Sequence, residues 1–290
     1  MNIHARPDVS IRAIEVSTVK VDLGGRIWNP MLRWTEKYCV FVQIHGSDGS
    51  VGLGECWCLD ERPDTLLAYL KTEICPRFGG RSLGEARAIF AHLRSRATLT
   101  ARHGLLESAL AGLDIALWDM AAKQAGLPLW KLLDPQGPGS APLYCSGGIY
   151  GRDKSLQDLA DEMAGLAAQG FSCLKMKIGG ASEQEDIARV EAVLKAVGPE
   201  VRLVVDSVYS YDPRTALRIY RRFDPARIEA FQSPLPQADL KGMQWLVAQG
   251  VPVMGIEAEY RTELHSAMIE MNACSCTRAG FWKRARRNRS

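Results

Sequence analysis

The sequence predicts a mixed α/β fold: an antiparallel α+β capping unit, followed by an incomplete parallel β/α (TIM-type) barrel. Two observations carry this. Three strand-like runs near the N-terminus sit close together, two of them joined by a tight turn, and helical patterns follow them. Beyond residue 141 the pattern changes to strands alternating with helices at a spacing of roughly 25–30 residues, which implies parallel strands with right-handed crossovers. A doubly wound open sheet is the alternative with the same alternation. No G-x-G-x-x-G follows the first of these strands, which counts against dinucleotide binding.

The early strands are 11–23 (IRAIEVSTVKVDL), 38–45 (YCVFVQIH) and 50–57 (SVGLGECW), the last two joined by GSDG. Between the first two lies GGRIWNPMLRWTEK, rich in turn residues and aromatics and too long for a tight connection, which reads as a mobile flap. Helices are expected at about 61–73, 83–98 and 104–125. The third is apolar around much of its circumference, so burial between other elements is expected. DPQGPGSA (134–141) reads as a linker. Strands are then expected at 142–146, 172–178, 201–206, 228–231 and 252–256, with helices between them, among them 155–169, 182–197 and 212–222. The expected domains are therefore a capping domain over 1–134, a partial barrel over 135–272, and a basic tail over 273–290.

Composition excludes several classes. The chain has 290 residues, 47% hydrophobic and 24% charged, an ordinary balance for a soluble globular protein. It contains no uninterrupted apolar run of membrane-spanning length, and MNIHARPDVS lacks a signal-peptide core. A cytoplasmic protein is expected. None of the eight cysteines forms a C-x-x-C pair, so reduced core thiols are expected rather than a metal or redox centre. Six basic residues crowd into 278–290 with no acidic one, and the remainder carries 30 basic against 33 acidic side chains. The body is mildly acidic, and nucleic acid is not expected as a partner.

Within LKMKIGG (174–180), Leu174, Met176 and Ile178 alternate with Lys175 and Lys177. A strand here points both lysines to one face. Polar residues then recur at strand C-terminal ends: Asp206, Gln232 and Glu257, at steps of 29, 26 and 25 residues from Lys177. Each step is about one βα unit, and such positions converge at a barrel's C-terminal mouth. Singly, each has a bland reading as a turn former, a helix cap or a solvated strand face. Their common register favours a site. Two carboxylates and an amide oxygen are hard donors suited to Mg²⁺. Lysines beside a divalent cation are driven toward the neutral amine, a competent base for a proton alpha to a carboxylate.

These motifs together resemble the mandelate racemase/muconate lactonizing enzyme branch of the enolase superfamily. SALAGLDIALWDMAAKQAGLPLWKLL (108–133) resembles the helix closing the family's capping domain, LKMKIG its K-x-K strand and VVDSVYSYD the strand of its first metal ligand. FQSPLP resembles F-E-E-P-L-P, and MGIEAEYRTE the segment with the third ligand. The resemblance spans roughly residues 10–265. It implies Lys177 as the base and Lys175 as its assistant, contacting the substrate carboxylate. It further implies Asp206, Gln232 and Glu257 around Mg²⁺, a hydroxy-acid or sugar-acid substrate, and a homo-oligomer in the full-length family. Trp28, Asn29 and Trp34 in the flap are expected to help select substrate. The implied reaction is acid-sugar dehydration (a hydro-lyase). Racemisation or epimerisation (an isomerase) and a catalytically dead remnant are the alternatives.

Three departures stand out. Gln232 and Ser233 occupy the places of two glutamates, and Val208 stands where the family often has Asn. Only five of eight barrel strands are legible, and ACSCTRAGFWKRARRNRS shows no strand pattern, as though the reading frame were shifted or ended early. His265, the last histidine, falls in the helix after the fifth strand, so no residue matches the family's opposite-face catalytic groups.

Overall fold

A computed structural model of the chain describes residues 9–58, 62–100, 103–255 and 257–277. Two compact units emerge: one comprises residues up to Leu23 together with Thr35–Ala141, the other Gly24–Trp34 together with Pro142 onward.

Strands β1 (Ile11–Trp28), β2 (Arg33–Gly46) and β3 (Val51–Cys56) lie side by side, with β2 and β3 antiparallel; the first unit holds β1 up to Leu23, β2 from Thr35 and all of β3. Val40, Val42 and Ile44 alternate along β2 and are fully buried. They pack with helices α1 (Asp64–Tyr69), α2 (Leu83–Thr100) and α3 (His103–Ala125) in a core that includes Leu66, Phe78, Phe90, Leu110 and Leu113. Helix α3 is buried as expected, and β3 approaches it unusually closely. A Cβ on Gly54 would lie 2.0 Å from the Gly112 carbonyl oxygen, and one on Gly52 1.9 Å from that of Ala116. Only a bare backbone fits against the helix at these two positions. The Asp119 carboxylate accepts from the Leu53 amide at 2.8 Å and helps hold the strand there. A short helix, α4 (Leu129–Leu133), follows behind Pro128.

The stretch between the first two expected strands corrects one point: it holds a tight connection after all, because strand fills most of it. β1 runs on through Gly24 and Gly25, both at positive φ, to Trp28, and β2 already begins at Arg33. Asn29 closes the turn: its backbone amide donates to the Leu32 carbonyl, and its side-chain oxygen accepts from the Met31 and Leu32 amides, each at 2.8 Å.

In the second unit, six strands run parallel: β4 (Cys145–Ser146), β6 (Cys173–Lys177), β7 (Arg202–Asp206), β8 (Ile228–Gln232), β9 (Val253–Gly255) and β10 (Cys276–Thr277), adjacent in that order. β10 corrects the expectation that no sixth strand is present, because it pairs with Met254 and Gly255 of β9. The rest of the basic tail lies outside the described residues. A two-residue strand, β5 (Tyr150–Gly151), turns away and pairs antiparallel with Ile27 and Trp28 of the hairpin.

Helices α5 (Leu156–Ala168), α6 (Glu183–Ala196), α7 (Pro213–Tyr220), α8 (Leu240–Ala248) and α9 (Thr262–Glu270) alternate with the strands. Their starts are written in the sequence. Ser155 with Asp158 and Ser182 with Glu185 form reciprocal capping boxes, and Asp212 caps α7 just ahead of Pro213. One face of the sheet, with Leu174, Met176, Leu203, Val205 and Val253, packs against Leu159, Val190, Ile219 and Leu246 of the helices. The opposite face carries Val204, Ala230 and Met254, with Cys173 beside them. Lys175 and Lys177, two and four residues on from Cys173, point to that second face. Among the described residues no helix is long and apolar enough to cross a membrane.

Gly54→Ala is expected to lower the unfolding free energy by about 1–3 kcal/mol, from forced displacement of α3. Gly79→Ala, where the added methyl meets nothing within 4 Å, should stay within about 0.5 kcal/mol of the parent. Urea unfolding of both variants checks the pair.

Candidate active site at the strand ends

Register brings the polar residues together. Lys177 pairs with Asp206 across β6 and β7, and Asp206 with Gln232 across β7 and β8. Asp206 is fully buried, and both lysine side chains are nearly so. Its Oδ2 accepts from Lys177 Nζ at 2.5 Å and lies 3.3 Å from Lys175 Nζ. Lys175 Nζ donates onward to Gln232 Oε1 at 3.3 Å, and Gln232 Nε2 donates to Glu257 Oε2 at 2.7 Å. One continuous chain of contacts thus links all five residues expected from the sequence. The ring of Tyr144 lies beneath Lys175 Nζ, 5.6 Å from its centroid.

The loops after β7 and β8 are tied to one another. Asp206 Oδ1 accepts from the Val208 amide at 3.1 Å. The Tyr209 amide donates to the Ser233 carbonyl at 2.7 Å, and Ser207 Oγ to the same oxygen at 3.1 Å. Val208, Tyr209 and Ser233 all adopt positive φ. For the β-branched Val208 that conformation is strained, and Asn, the residue often found at this position in the family resembled, tolerates it better.

Three hard oxygen donors gather at or just after the ends of consecutive strands, and a cation already bridges two of them: the Lys175 ammonium sits 3.3 Å from both Asp206 Oδ2 and Gln232 Oε1. The donor set therefore fits a divalent cation in chemistry. It carries one negative charge fewer than three carboxylates would. No group of three His, Cys, Asp or Glu able to hold a metal gathers among the described residues, because an amide holds the middle place.

The flap residues lie elsewhere in the same unit. Trp28 stacks on Tyr150 with ring centroids 5.8 Å apart, and the Arg33 guanidinium lies 4.5 Å from the Trp28 ring centroid. Asn29 spends its side-chain oxygen on its own turn. Trp34 is half-buried.

Two further polar networks flank the site, and the sequence reading missed both. Beyond β9, Glu259 accepts two hydrogen bonds from the Arg261 guanidinium at 2.8 Å and one from Gln237 at 3.0 Å, while Tyr209 donates to Gln237. Arg261 foremost holds the Glu259 carboxyl down to about 2. His265 reaches the Glu259 carbonyl with Nε2 at 3.0 Å. Behind β6, a fully buried Asp186 accepts from the Tyr150 hydroxyl and, at 2.6 Å, from the Gly179 amide. Burial first, and then the neighbouring Asp186 charge, push the Tyr150 hydroxyl well above the ordinary phenol range, so it stays a donor. The available signal was Asp186 and Arg189, two charged residues three apart on a face of α6 shared with Val190 and Val193.

Comparison with known proteins places this geometry. Residues 27–134 match the mandelate racemase / muconate lactonizing enzyme N-terminal domain, and residues 158–281 match the enolase C-terminal domain-like family. Arabinonate dehydratase of Saccharolobus solfataricus is 34% identical over 79% of this chain and 61% of its own length. L-talarate/galactarate dehydratase of Salmonella typhimurium is 30% identical over 90% of this chain and 64% of its own. The chain thus spans under two thirds of the length of both. Among solved structures, L-talarate dehydratase from Polaromonas sp. JS666, complexed with Mg and L-glucarate, aligns with a TM-score of 0.80 at 28% identity, over 93% of this chain and 72% of that one. A racemase from Streptomyces coelicolor A3(2) with bound magnesium aligns with a TM-score of 0.83 at 23% identity, over 91% and 74% of the two chains.

Removing the carboxylate at the centre leaves two buried ammonium groups uncompensated. Without added metal, Asp206→Ala should cost about 3–5 kcal/mol of unfolding free energy. Lys177→Met, which leaves Asp206 paired with Lys175, should cost less. Urea titrations of the two variants test that order.

Proposed function

Because the chain belongs to the mandelate racemase/muconate lactonizing enzyme family, we propose that its strand-end site removes the proton alpha to the carboxylate of a hydroxy acid or sugar acid and leads to its dehydration. The supporting observation is the linked series Lys177, Asp206, Lys175, Gln232 and Glu257 at or just after the ends of four consecutive parallel strands. The sugar-acid dehydratases among the relatives favour dehydration. Racemisation or epimerisation shares the same first step, and an L-Ala-D/L-Glu epimerase of Bacillus subtilis, 27% identical, is also a relative.

Each residue has a distinct task. Lys177 is the base: in its neutral form the amine forms a bond to the alpha proton as the C–H pair delocalises into the carboxylate. In dehydration that pair returns to form a carbon–carbon double bond as the bond to the β-hydroxyl breaks, and the oxygen takes a proton from solvent and leaves as water. Asp206 holds that amine in place through a 2.5 Å contact. Lys175 brings a positive charge to the substrate carboxylate and, through Gln232, orients the amide. Asp206, Gln232 and Glu257 are the residues that would hold Mg²⁺, whose charge would stabilise the carboxylate as it gains electron density. Trp28, Asn29 and Trp34 shape the approach of the substrate from the hairpin side.

One observation favours a second reading, a site that binds an acid but does not turn it over. The Gln232 amide nitrogen faces Glu257, so the middle donor is neutral and engaged with its neighbour.

Solvent-deuterium exchange with a panel of sugar acids and Mg²⁺ separates the two. Exchange into the alpha position that disappears in Lys177→Ala is the expected result. A wild-type chain that binds acids without exchanging deuterium establishes the second reading. Gln232→Glu restores the third carboxylate and should tighten Mg²⁺ binding about tenfold or more in calorimetry. Unchanged affinity would remove Gln232 from the donor set.

A further inference from the structure

The residues that follow Lys177 are held from behind by groups outside the proposed site. The Gly179 amide donates to Asp186 Oδ2 at 2.6 Å, and the Gly180 amide to the Tyr150 hydroxyl at 2.9 Å. That hydroxyl donates in turn to Asp186 Oδ1. Tyr211 reaches Asp186 Oδ2 at 3.4 Å. The Gly148 carbonyl accepts both from the Lys177 amide, at 3.3 Å, and from the Arg189 guanidinium, at 3.0 Å. Arg189 also lies over the Tyr150 ring, 4.1 Å from its centroid. Tyr150 is the hub. It binds the Gly180 amide, the buried carboxylate, the Arg189 cation and, by stacking, Trp28 at the hairpin tip.

We propose that Tyr150 and Asp186 are positioning residues for Lys177, and that the Trp28–Tyr150 stack makes their grip depend on the seating of the hairpin tip. Gly179 and Gly180 carry no side chains to fix their own course, and Gly179 sits at φ 87°, so their direction is set by what their amides bond. The Lys177 backbone itself is reached through Gly148, whose carbonyl accepts from the Lys177 amide and from Arg189, the cation that lies over the Tyr150 ring. A small error in placing a base is costly in rate, since the reacting atoms must be aligned closely. The kinetic part of this inference rests on the reading of Lys177 as the base. The structural part does not.

Tyr150→Phe removes the hydroxyl and keeps the ring. It should speed hydrogen exchange of the Gly180 amide, whose acceptor it removes, about tenfold or more. It should also lower kcat for alpha-deuterium exchange about tenfold with KM nearly unchanged, the split expected when placement rather than binding is lost. Trp28→Ala should loosen the same amide and lower kcat as much, with KM rising too because Trp28 also shapes the substrate's approach, and Trp28→Phe, which retains a stacking ring, should restore the amide protection and kcat. Asp186→Asn, which keeps one acceptor oxygen, is a second test should Tyr150→Phe fold poorly, and should loosen the Gly179 amide alone. A Gly180 amide as protected in Tyr150→Phe as in the parent would overturn the positioning role. Loosening in Tyr150→Phe but not in Trp28→Ala would overturn the dependence on the hairpin. If the parent chain exchanges no alpha proton, the proposed function falls, and the amide measurements still decide this inference.

Discussion

One buried carboxylate organises the second unit. Asp206 sits at the end of β7 with no exposure to water, and two ammonium groups converge on its Oδ2. An isolated charge at that depth is costly, and so is a lysine without a partner. The three groups are tolerable only together. That requires β6 and β7 to keep the register that sets Lys177 against Asp206, since a one-residue slip turns both lysines into the apolar face. The Ile178 amide donates to the Asp206 carbonyl at 3.0 Å and carries that register past Lys177, while the contacts from Ser207 and Tyr209 to Ser233 tie the ends of β7 and β8 to one another.

Gln232 changes the balance around this centre. A glutamate there would add a negative charge beside Glu257. The amide instead donates to Glu257 and accepts from Lys175, so it joins the lysine half of the site to the acidic half without charge of its own. With both lysines protonated and both acids ionised, the four charges cancel. Such a site is self-satisfied in the absence of metal, which is consistent with weaker demand for a divalent ion than three carboxylates would create.

Much of this was legible in the sequence because parallel strands leave two kinds of mark. In β6 two lysines alternate with apolar residues on a strand set between helices, and capping residues such as Ser155, Ser182 and Asp212 announce α5, α6 and α7. What escaped did so for physical reasons. Gly24-Gly25 reads as a turn, yet both residues use positive φ to carry β1 onward, and the pairing partner that extends the strand lies more than a hundred residues away. β10 is two residues long, Cys276 and Thr277, with no apolar alternation, and backbone pairing to β9 alone makes it a strand. The Asp186 network was invisible because a charged pair on a helix ordinarily faces water. Only the arrival of Tyr150 and the Gly179 amide makes it an interior feature.

The hairpin tip has a consequence for how the molecule is made. β1 contributes its first residues to one core and its last two to a partner strand encoded at Tyr150 and Gly151. A ribosome adding about 5–20 residues per second takes roughly 6–24 s to travel from Trp28 to Tyr150. Throughout that interval the capping core can assemble while the indole at the tip has no ring to rest on and the strand edge beside it stays open. The nascent chain therefore carries an unprotected aromatic edge for seconds, a window in which a chaperone, or another nascent chain, can compete for it.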